Sequence, residues 1–286
     1  MSWQDLIRRL SFGRFGPVEP TVVVLRFEGV IGLRGRRGLN LRRYAGAIER
    51  AFKLRGLKAV ALVVNSPGGA PAQSALLYRR IRQLAAERHV PVIAFAEDLA
   101  ASGGYWLALA ADEIYAEDTS LVGSIGVVSA GFGFVDVLQR LGVERRLFTV
   151  GENKSLLDPF LPEREEDVAR LQTLQQDLHD SFKELVRERR RGKLKGEEAL
   201  LFSGEVFTGR RALGLSLVDG IGELRGVLRG RFGETVQLRA VEPERRRFFA
   251  RMTAPLGGEA RREGADLFGE LVAWLEERLI WARFGL

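Results

Sequence analysis

Three short stretches carry residue types that could perform acyl transfer. Ala100-Ala101-Ser102-Gly103-Gly104-Tyr105-Trp106 sets a serine among small residues at the start of an apolar helical stretch. Small neighbours keep a hydroxyl accessible, and the Gly103 N–H can point the same way as an N–H of Gly68 or Gly69. The other reading of Ser102 is a helix N-cap, which also favours serine. Asn65-Ser66-Pro67-Gly68-Gly69 leaves a strand-like run, and its glycines allow the sharp turn that exposes N–H groups to an oxyanion. A Pro-Gly-Gly turn also arises for purely local reasons. Gly151-Glu152-Asn153-Lys154-Ser155 offers an amine. A lysine works as a base only where burial or neighbouring cations bring its pKa down from about 10.4. Between these lies Gly123-Ser124-Ile125-Gly126, whose Ser124 either satisfies a turn or holds an ammonium group.

Composition narrows the chemistry further. The chain has 286 residues, no cysteine and two histidines. Thiolate chemistry and disulfides are therefore excluded. His89 follows a helix-like run and His179 lies in a charged helical pattern, neither in a motif-like setting. They read as surface or helix-end residues, which leaves no Ser-His-Asp triad and no histidine metal site; no metal or other cofactor is expected. Lys154 is then the best remaining base for Ser102. The net charge is +7, but the 44 basic residues are spread along the chain without an aromatic-interleaved stripe, which argues against nucleic acid as a partner.

These groups need elements to hold them. Short apolar runs alternate with helical ones from Thr21, the pattern of crossover βαβ units in an α/β fold. Strands are predicted at Val22–Phe27, Ala59–Val64, Val92–Ala96, Glu113–Ala116 and Arg146–Val150, with helices near Leu41–Leu54, Ala72–Arg88, Ser102–Ala110 and Phe134–Leu141. After Pro162, Val168, Leu171, Leu174, Leu178, Phe182 and Leu185 recur at helical spacing and predict a long amphipathic helix. Thr208–Gly222 reads as a short helix and turn before a late strand near Val236–Ala240.

The expected organisation is an N-terminal arm over 1–20, a main domain over 21–241, a charged Gly/Pro-punctuated linker over 242–264 and a C-terminal amphipathic helix over 265–286. That last helix has a broad apolar face with Trp274 and Trp281. It packs on the domain or on another subunit, or it lies peripherally on a membrane, as residues Trp3–Phe15 could. With no apolar run of about 18 residues and no secretory signal core, a cytoplasmic location is expected.

Taken in order, Asn65-Ser-Pro-Gly-Gly, Ala101-Ser-Gly-Gly-Tyr, Gly123-Ser-Ile-Gly-Val, the lysine of Gly151-Glu-Asn-Lys-Ser and Phe207-Thr-Gly-Arg-Arg-Ala-Leu-Gly-Leu-Ser-Leu-Val-Asp-Gly-Ile-Gly resemble the signal peptide peptidase A family. These are serine-lysine proteases with a Clp protease/crotonase-like fold. The resemblance implies Ser102 as nucleophile, Lys154 as general base, Ser124 as the hydroxyl orienting the lysine, and N–H groups of Gly103 and of Gly68 or Gly69 as oxyanion donors. It implies hydrolysis of signal-peptide-like, apolar or unfolded polypeptides through an acyl-enzyme. It also implies a homo-oligomeric ring of about eight subunits, with serine and lysine from neighbours and grooves that bind substrate as an added strand. Many members begin with a membrane-spanning anchor, which is not found here, and the C-terminal helix lies outside the resemblance. Two rivals share the fold: a crotonase-type acyl-CoA enzyme, whose usual acidic residue has no clear counterpart here, and a non-catalytic scaffold binding peptides or a membrane partner.

Overall fold

The computed structural model describes residues 19–32, 38–243, 272, 274, 275 and 277–286. The expected arm before residue 19 and most of the expected linker lie outside the described residues. Of the C-terminal helix, positions 272, 274, 275 and 277–282 are helical.

Parallel crossover units build the centre. Strand β1 (Thr21–Glu28), helix α1 (Leu41–Ala51), β2 (Leu57–Ser66), α2 (Pro71–Arg88) and β3 (Val92–Ala101) follow in turn. β1 pairs with β2 and β2 with β3, all parallel. Local chemistry starts the helices: Asn40 accepts the Arg43 N–H at 3.0 Å to cap α1, and Pro71 opens α2, where its missing N–H costs nothing. The short α3 (Gly103–Ala108), β4 (Glu113–Ala116) and β5 (Leu121–Gly123) come next. Beyond them are α4 (Val135–Arg140), the long α5 (Glu165–Arg189), α6 (Glu198–Leu201), β6 (Val206–Thr208), α7 (Gly209–Gly214), β7 (Gly220–Ile221), α8 (Leu224–Phe232) and β8 (Gln237–Ala240).

The sheet runs β6-β5-β3-β2-β1-β8 and branches at β3, whose first half also pairs with β4 and whose last residues pair with β5. Both sheet faces are covered, as continuous apolar strand runs require. Val23, Leu25, Val60, Leu62 and Ala94 pack with Ile48 of α1 and with Leu77 and Ile81 of α2. Their alternates Val22, Ala59, Ala61, Ile93 and Phe95 pack with Leu228 of α8. This is the expected α/β architecture of crossover units with flanking helices.

α5 is only half docked. Phe182 and Val186 are buried, whereas Leu174 and Leu178 toward its N-terminus stay exposed. Just past its C-terminal end, Arg190 is 2% exposed, bonds the Ser216 carbonyl at 2.9 and 2.6 Å, and pairs with Asp219 at 2.6 Å. Asp219 also accepts the Ile114 N–H at 2.8 Å, and the buried Tyr105 hydroxyl donates to the Leu217 carbonyl at 2.7 Å. Burial alone would raise the Asp219 pKa, but the hydrogen bonds from Arg190, Lys193 and Ile114 outweigh it and hold the carboxyl below its usual range.

Several expectations are corrected. Arg146–Val150 is not a strand: those residues are exposed and have no regular structure, and among the described residues no strand pairs with them to complete a ladder. β3 runs on to Ala101 instead of stopping at Ala96, since the charged pair Glu97-Asp98 sits in a bulge inside it. The short strands β5, β6 and β7 were not expected, two or three residues being too few for a period to show.

Candidate active site

Ser102 sits at the turn from β3 into α3 with φ 52° and ψ −122°, a backbone conformation that costs a non-glycine residue roughly 1–3 kcal/mol. Its side chain makes no capping bond, so the N-cap reading is set aside. Its own N–H donates to the Gly123 carbonyl at 2.8 Å, and its carbonyl accepts from the Trp106 N–H at 3.0 Å. A strained serine presented between strand and helix is the arrangement that exposes a nucleophilic hydroxyl in hydrolases of other folds.

The Pro-Gly-Gly turn after β2 closes on this serine. A Cβ built on Gly68 would lie 2.7 Å from the Gly103 nitrogen and 2.8 Å from the Ser102 Cβ, so only glycine leaves that space open. A Cβ built on Gly103 would lie 3.3 Å from the Gly69 nitrogen. The Gly68 N–H is taken by Ser66 Oγ at 3.2 Å, and the Ser66 hydroxyl donates to the Gly29 carbonyl at 2.7 Å. The chain next to Gly69 is tied to Ile31: the Ile31 N–H donates to the Gly68 carbonyl at 2.7 Å, and the Ala70 N–H to the Ile31 carbonyl at 2.8 Å. Among the described residues, the N–H groups of Gly69 and Gly103 have no hydrogen-bond acceptor.

Ser124 stands beside Ser102 by register. Ala101 and Gly123 are the last paired residues of the parallel strands β3 and β5, and each is followed by a serine of positive φ, 52° at Ser102 and 51° at Ser124. A crevice at Ser102 is lined by Gly69, Gly103, Trp106, Gly126, Val127 and Phe182, among others. Trp106 stacks on Phe182 with centroids 4.8 Å apart, and its indole N–H is buried without a partner among the described residues.

Lys154 is not among the residues lining that crevice. It lies in an exposed turn, its N–H bonded to the Gly151 carbonyl at 3.2 Å. No residue described between 128 and 154 is buried, so the segment stands off the core as an arm. Ser102, Ser124, Gly68, Gly69 and Gly103 are thus brought together, whereas Lys154 lies on the exposed arm and does not line the crevice.

Two residues escaped the sequence reading. His179 is half-buried, and its Nε2 lies 3.1 Å from the Ile125 carbonyl, tying α5 to the Ser124 loop; no sequence signal marks that contact. Asp98 bonds Asn65 across the β2–β3 pair at 2.8 Å. The signal there was the acidic pair Glu97-Asp98 inside an otherwise apolar strand. His89 is the left-handed residue closing α2, a helix-end histidine as expected. No group of three or more His, Cys, Asp or Glu able to hold a metal ion occurs among the described residues.

Comparison with known proteins decides the lineage. The sequence pattern described as Peptidase family S49 matches residues 85–231, about half of the chain. The chain belongs to peptidase family S49. That family is described as one of peptidases, and this chain spans less than two thirds of the length of several of the curated relatives it matches. A Synechocystis sp. protease is 30% identical over 234 residues, covering 78% of this chain and 79% of that protein. The chloroplastic serine protease SPPA of Arabidopsis thaliana is 34% identical over 72% of this chain and 34% of its own length. The protein named Na(+)/H(+) antiporter NhaA of Brucella abortus is 47% identical over 98% of this S49 chain, which spans 39% of that longer protein. Among solved structures, a variant of the 1510-N membrane-bound stomatin-specific protease aligns at TM-score 0.48 with 14% identity, covering 80% of this chain and all of that one.

Proposed function

We propose that this S49 chain is an endopeptidase that hydrolyses apolar or unfolded polypeptides through an acyl-enzyme on Ser102. The observation that carries the reading is the strained Ser102 facing two unbonded N–H groups, those of Gly69 and Gly103. In this reading Gly69, not Gly68, is the second oxyanion donor, since the Gly68 N–H is already committed to Ser66. Fixed donors at a developing oxyanion are worth about 10²–10³ in rate each.

Lys154 serves as the base from a neighbouring subunit. Its neutral amine takes the Ser102 proton as Oγ attacks the peptide carbonyl, and the resulting ammonium gives that proton to the departing amine. The neutral Lys154 amine then takes a proton from water as the resulting hydroxide attacks the acyl-enzyme, and the lysine ammonium returns that proton to Ser102 Oγ as the C–Oγ bond breaks and the acid is released. Ser124, one residue past the strand paired to that of Ser102, is suited to hold the ammonium. The separation of Lys154 from the crevice and the apolar side chains exposed on its arm support supply in trans, within a ring of about eight copies.

The test is hydrolysis of an unfolded protein and an apolar peptide ester by wild type, Ser102→Ala and Lys154→Met, alone and mixed. Each variant alone should be inactive. Their co-assembled mixture should recover about a quarter of wild-type activity, the share of sites that random assortment completes across a head-to-tail interface. Inactivity of the mixture places both groups in one chain, and activity of Ser102→Ala removes the reading altogether.

The Brucella relatives favour a second reading of location. The polypeptide this chain matches there is named as a sodium/proton antiporter, a membrane transporter. We infer that this chain works at a membrane surface, as a peptidase or as a scaffold beside such a partner. Among the described residues no helix is long and apolar enough to cross a membrane, so the contact would be peripheral, with the exposed Val272, Trp274, Leu275 and Leu279 of the C-terminal helix as its apolar face. Flotation of the purified chain with anionic vesicles, compared with Leu275→Glu, checks it.

A further inference from the structure

Asn65 opens the Asn-Ser-Pro-Gly-Gly motif yet has no part in the chemistry proposed for Ser102. Its position in the sheet gives it another task. β2 and β3 keep step from Val60↔Val92 to Val64↔Ala96, and the next pair is Ser66↔Ala100. Over that interval β2 advances by two residues and β3 by four. β3 therefore carries two surplus residues, a bulge at the place where its neighbour changes from β4 to β5.

Side chains hold the surplus in place. Glu97 pairs with Arg26 on β1. Asp98 Oδ2 accepts from Asn65 Nδ2 at 2.8 Å, and Asn65 Oδ1 accepts the Leu99 N–H at 3.2 Å. One amide group thus supplies both a donor and an acceptor where the backbone ladder is interrupted, while the Asn65 carbonyl takes the Gly29 N–H at 3.0 Å.

The bulge sets the alignment of the site. Two residues beyond the restored pair Ser66↔Ala100 stand Gly68 and Ser102, and a Cβ on Gly68 would fall 2.8 Å from that of Ser102. An unbroken register would instead pair Ser66 with Asp98 and set Gly68 level with Ala100. The serine would then overshoot the glycine turn by two residues, about 6.6 Å.

We propose that Asn65 and Asp98 form a register clasp, positioning residues that set Ser102 against the Gly69 and Gly103 donors. The inference rests on Ser102 being the nucleophile. Asp98 is exposed and Asn65 half-buried, so the clasp adds little to core packing, and its loss should be felt in alignment before stability.

The experiment uses the full chain with an apolar peptide ester. Asn65→Ala should lower kcat about 10²-fold, the effect of a misplacement near 1 Å, with KM within about threefold of wild type. Asp98→Asn keeps an acceptor and should lose little. Asn65→Asp sets two carboxylates face to face and should lose as much as Asn65→Ala. The exchanged pair Asn65→Asp with Asp98→Asn restores one donor and one acceptor and should recover to within about tenfold of wild type, as coupled partners do. Amide exchange at Leu99, faster in Asn65→Ala than in wild type, reads the clasp without any turnover. A wild type that hydrolyses nothing removes the peptidase reading and leaves the clasp to the exchange result. Unchanged Leu99 exchange, an exchanged pair no better than Asn65→Asp, or a loss in Asn65→Ala confined to KM or thermal stability overturns the clasp.

Discussion

One added methyl group, Gly68→Ala, probes the site at its narrowest point. The new Cβ would lie 2.7 Å from the Gly103 nitrogen, 2.8 Å from the Ser102 Cβ and 2.9 Å from the Ala101 carbonyl oxygen. All three are backbone or Cβ atoms, so none can swing aside as a long side chain would. Gly68 also has φ +99°, a conformation that strains alanine by roughly 1–3 kcal/mol. Overpacking adds about 1–3 kcal/mol, so the variant should lose about 2–6 kcal/mol of stability, enough to weaken the fold without necessarily abolishing it. The methyl also fills the space before the Gly103 N–H, and kcat should fall by at least about 10²–10³ even where the variant is folded. Peptide-ester hydrolysis at a temperature where circular dichroism shows a folded chain separates the two effects. Gly230→Ala is the control: nothing lies within 4 Å of its Cβ, and alanine inside helix α8 should stabilise by about 0.5–1 kcal/mol with activity kept. A folded Gly68→Ala with kcat/KM within about threefold of wild type would refute the assignment of this space to the oxyanion.

Ser102→Gly should be inactive yet more stable by about 1–3 kcal/mol, since glycine relieves the φ 52° backbone; urea unfolding checks it. Arg190→Met leaves Asp219 without its buried partner and should cost about 3 kcal/mol, a melting point lower by about 6–12 °C in scanning calorimetry. Asp219 titrates below its usual range, so its contribution is present above the unfolded carboxyl value near 3.9 and is lost as pH falls through the lower folded value. Urea midpoints should therefore drop below about pH 4, and less steeply in Arg190→Met.

The strands β1 to β3 and the helices α1 and α2 between them were legible because burial on both sheet faces writes short apolar runs that alternate with helical ones. The serine and glycine turns were legible as motifs, since the turn at Gly68 and Gly69 demands residues without a Cβ. Their mutual alignment was not. It depends on a two-residue surplus in β3, and the charges of Glu97 and Asp98 that fill it read in sequence as a strand end. Which of the Gly68 and Gly69 N–H groups stays unbonded was equally hidden, because it turns on Ser66 accepting the Gly68 N–H at 3.2 Å.

The proposal that Lys154 acts from a neighbouring copy makes one chain an incomplete site, and the exposed side chains of its arm bear on that proposal. Phe132 is 82% exposed, Phe148 91% and Val150 96%, and Leu174 and Leu178 of α5 are uncovered as well. Burying such side chains is worth about 1.5–3 kcal/mol each, so covering the three most exposed offers roughly 5–9 kcal/mol toward association. Val150 precedes Lys154 by four residues, so under that proposal a contact that covers Val150 forms close to the lysine. Under the proposal that Lys154 reaches Ser102 from a neighbouring copy, assembly and completion of the site are a single event, and specific activity should fall on dilution together with the oligomer. Initial rates measured beside sedimentation velocity over the same concentrations test the coupling. Constant specific activity in a sample that sediments as single chains would show that Ser102 needs no lysine from a neighbour.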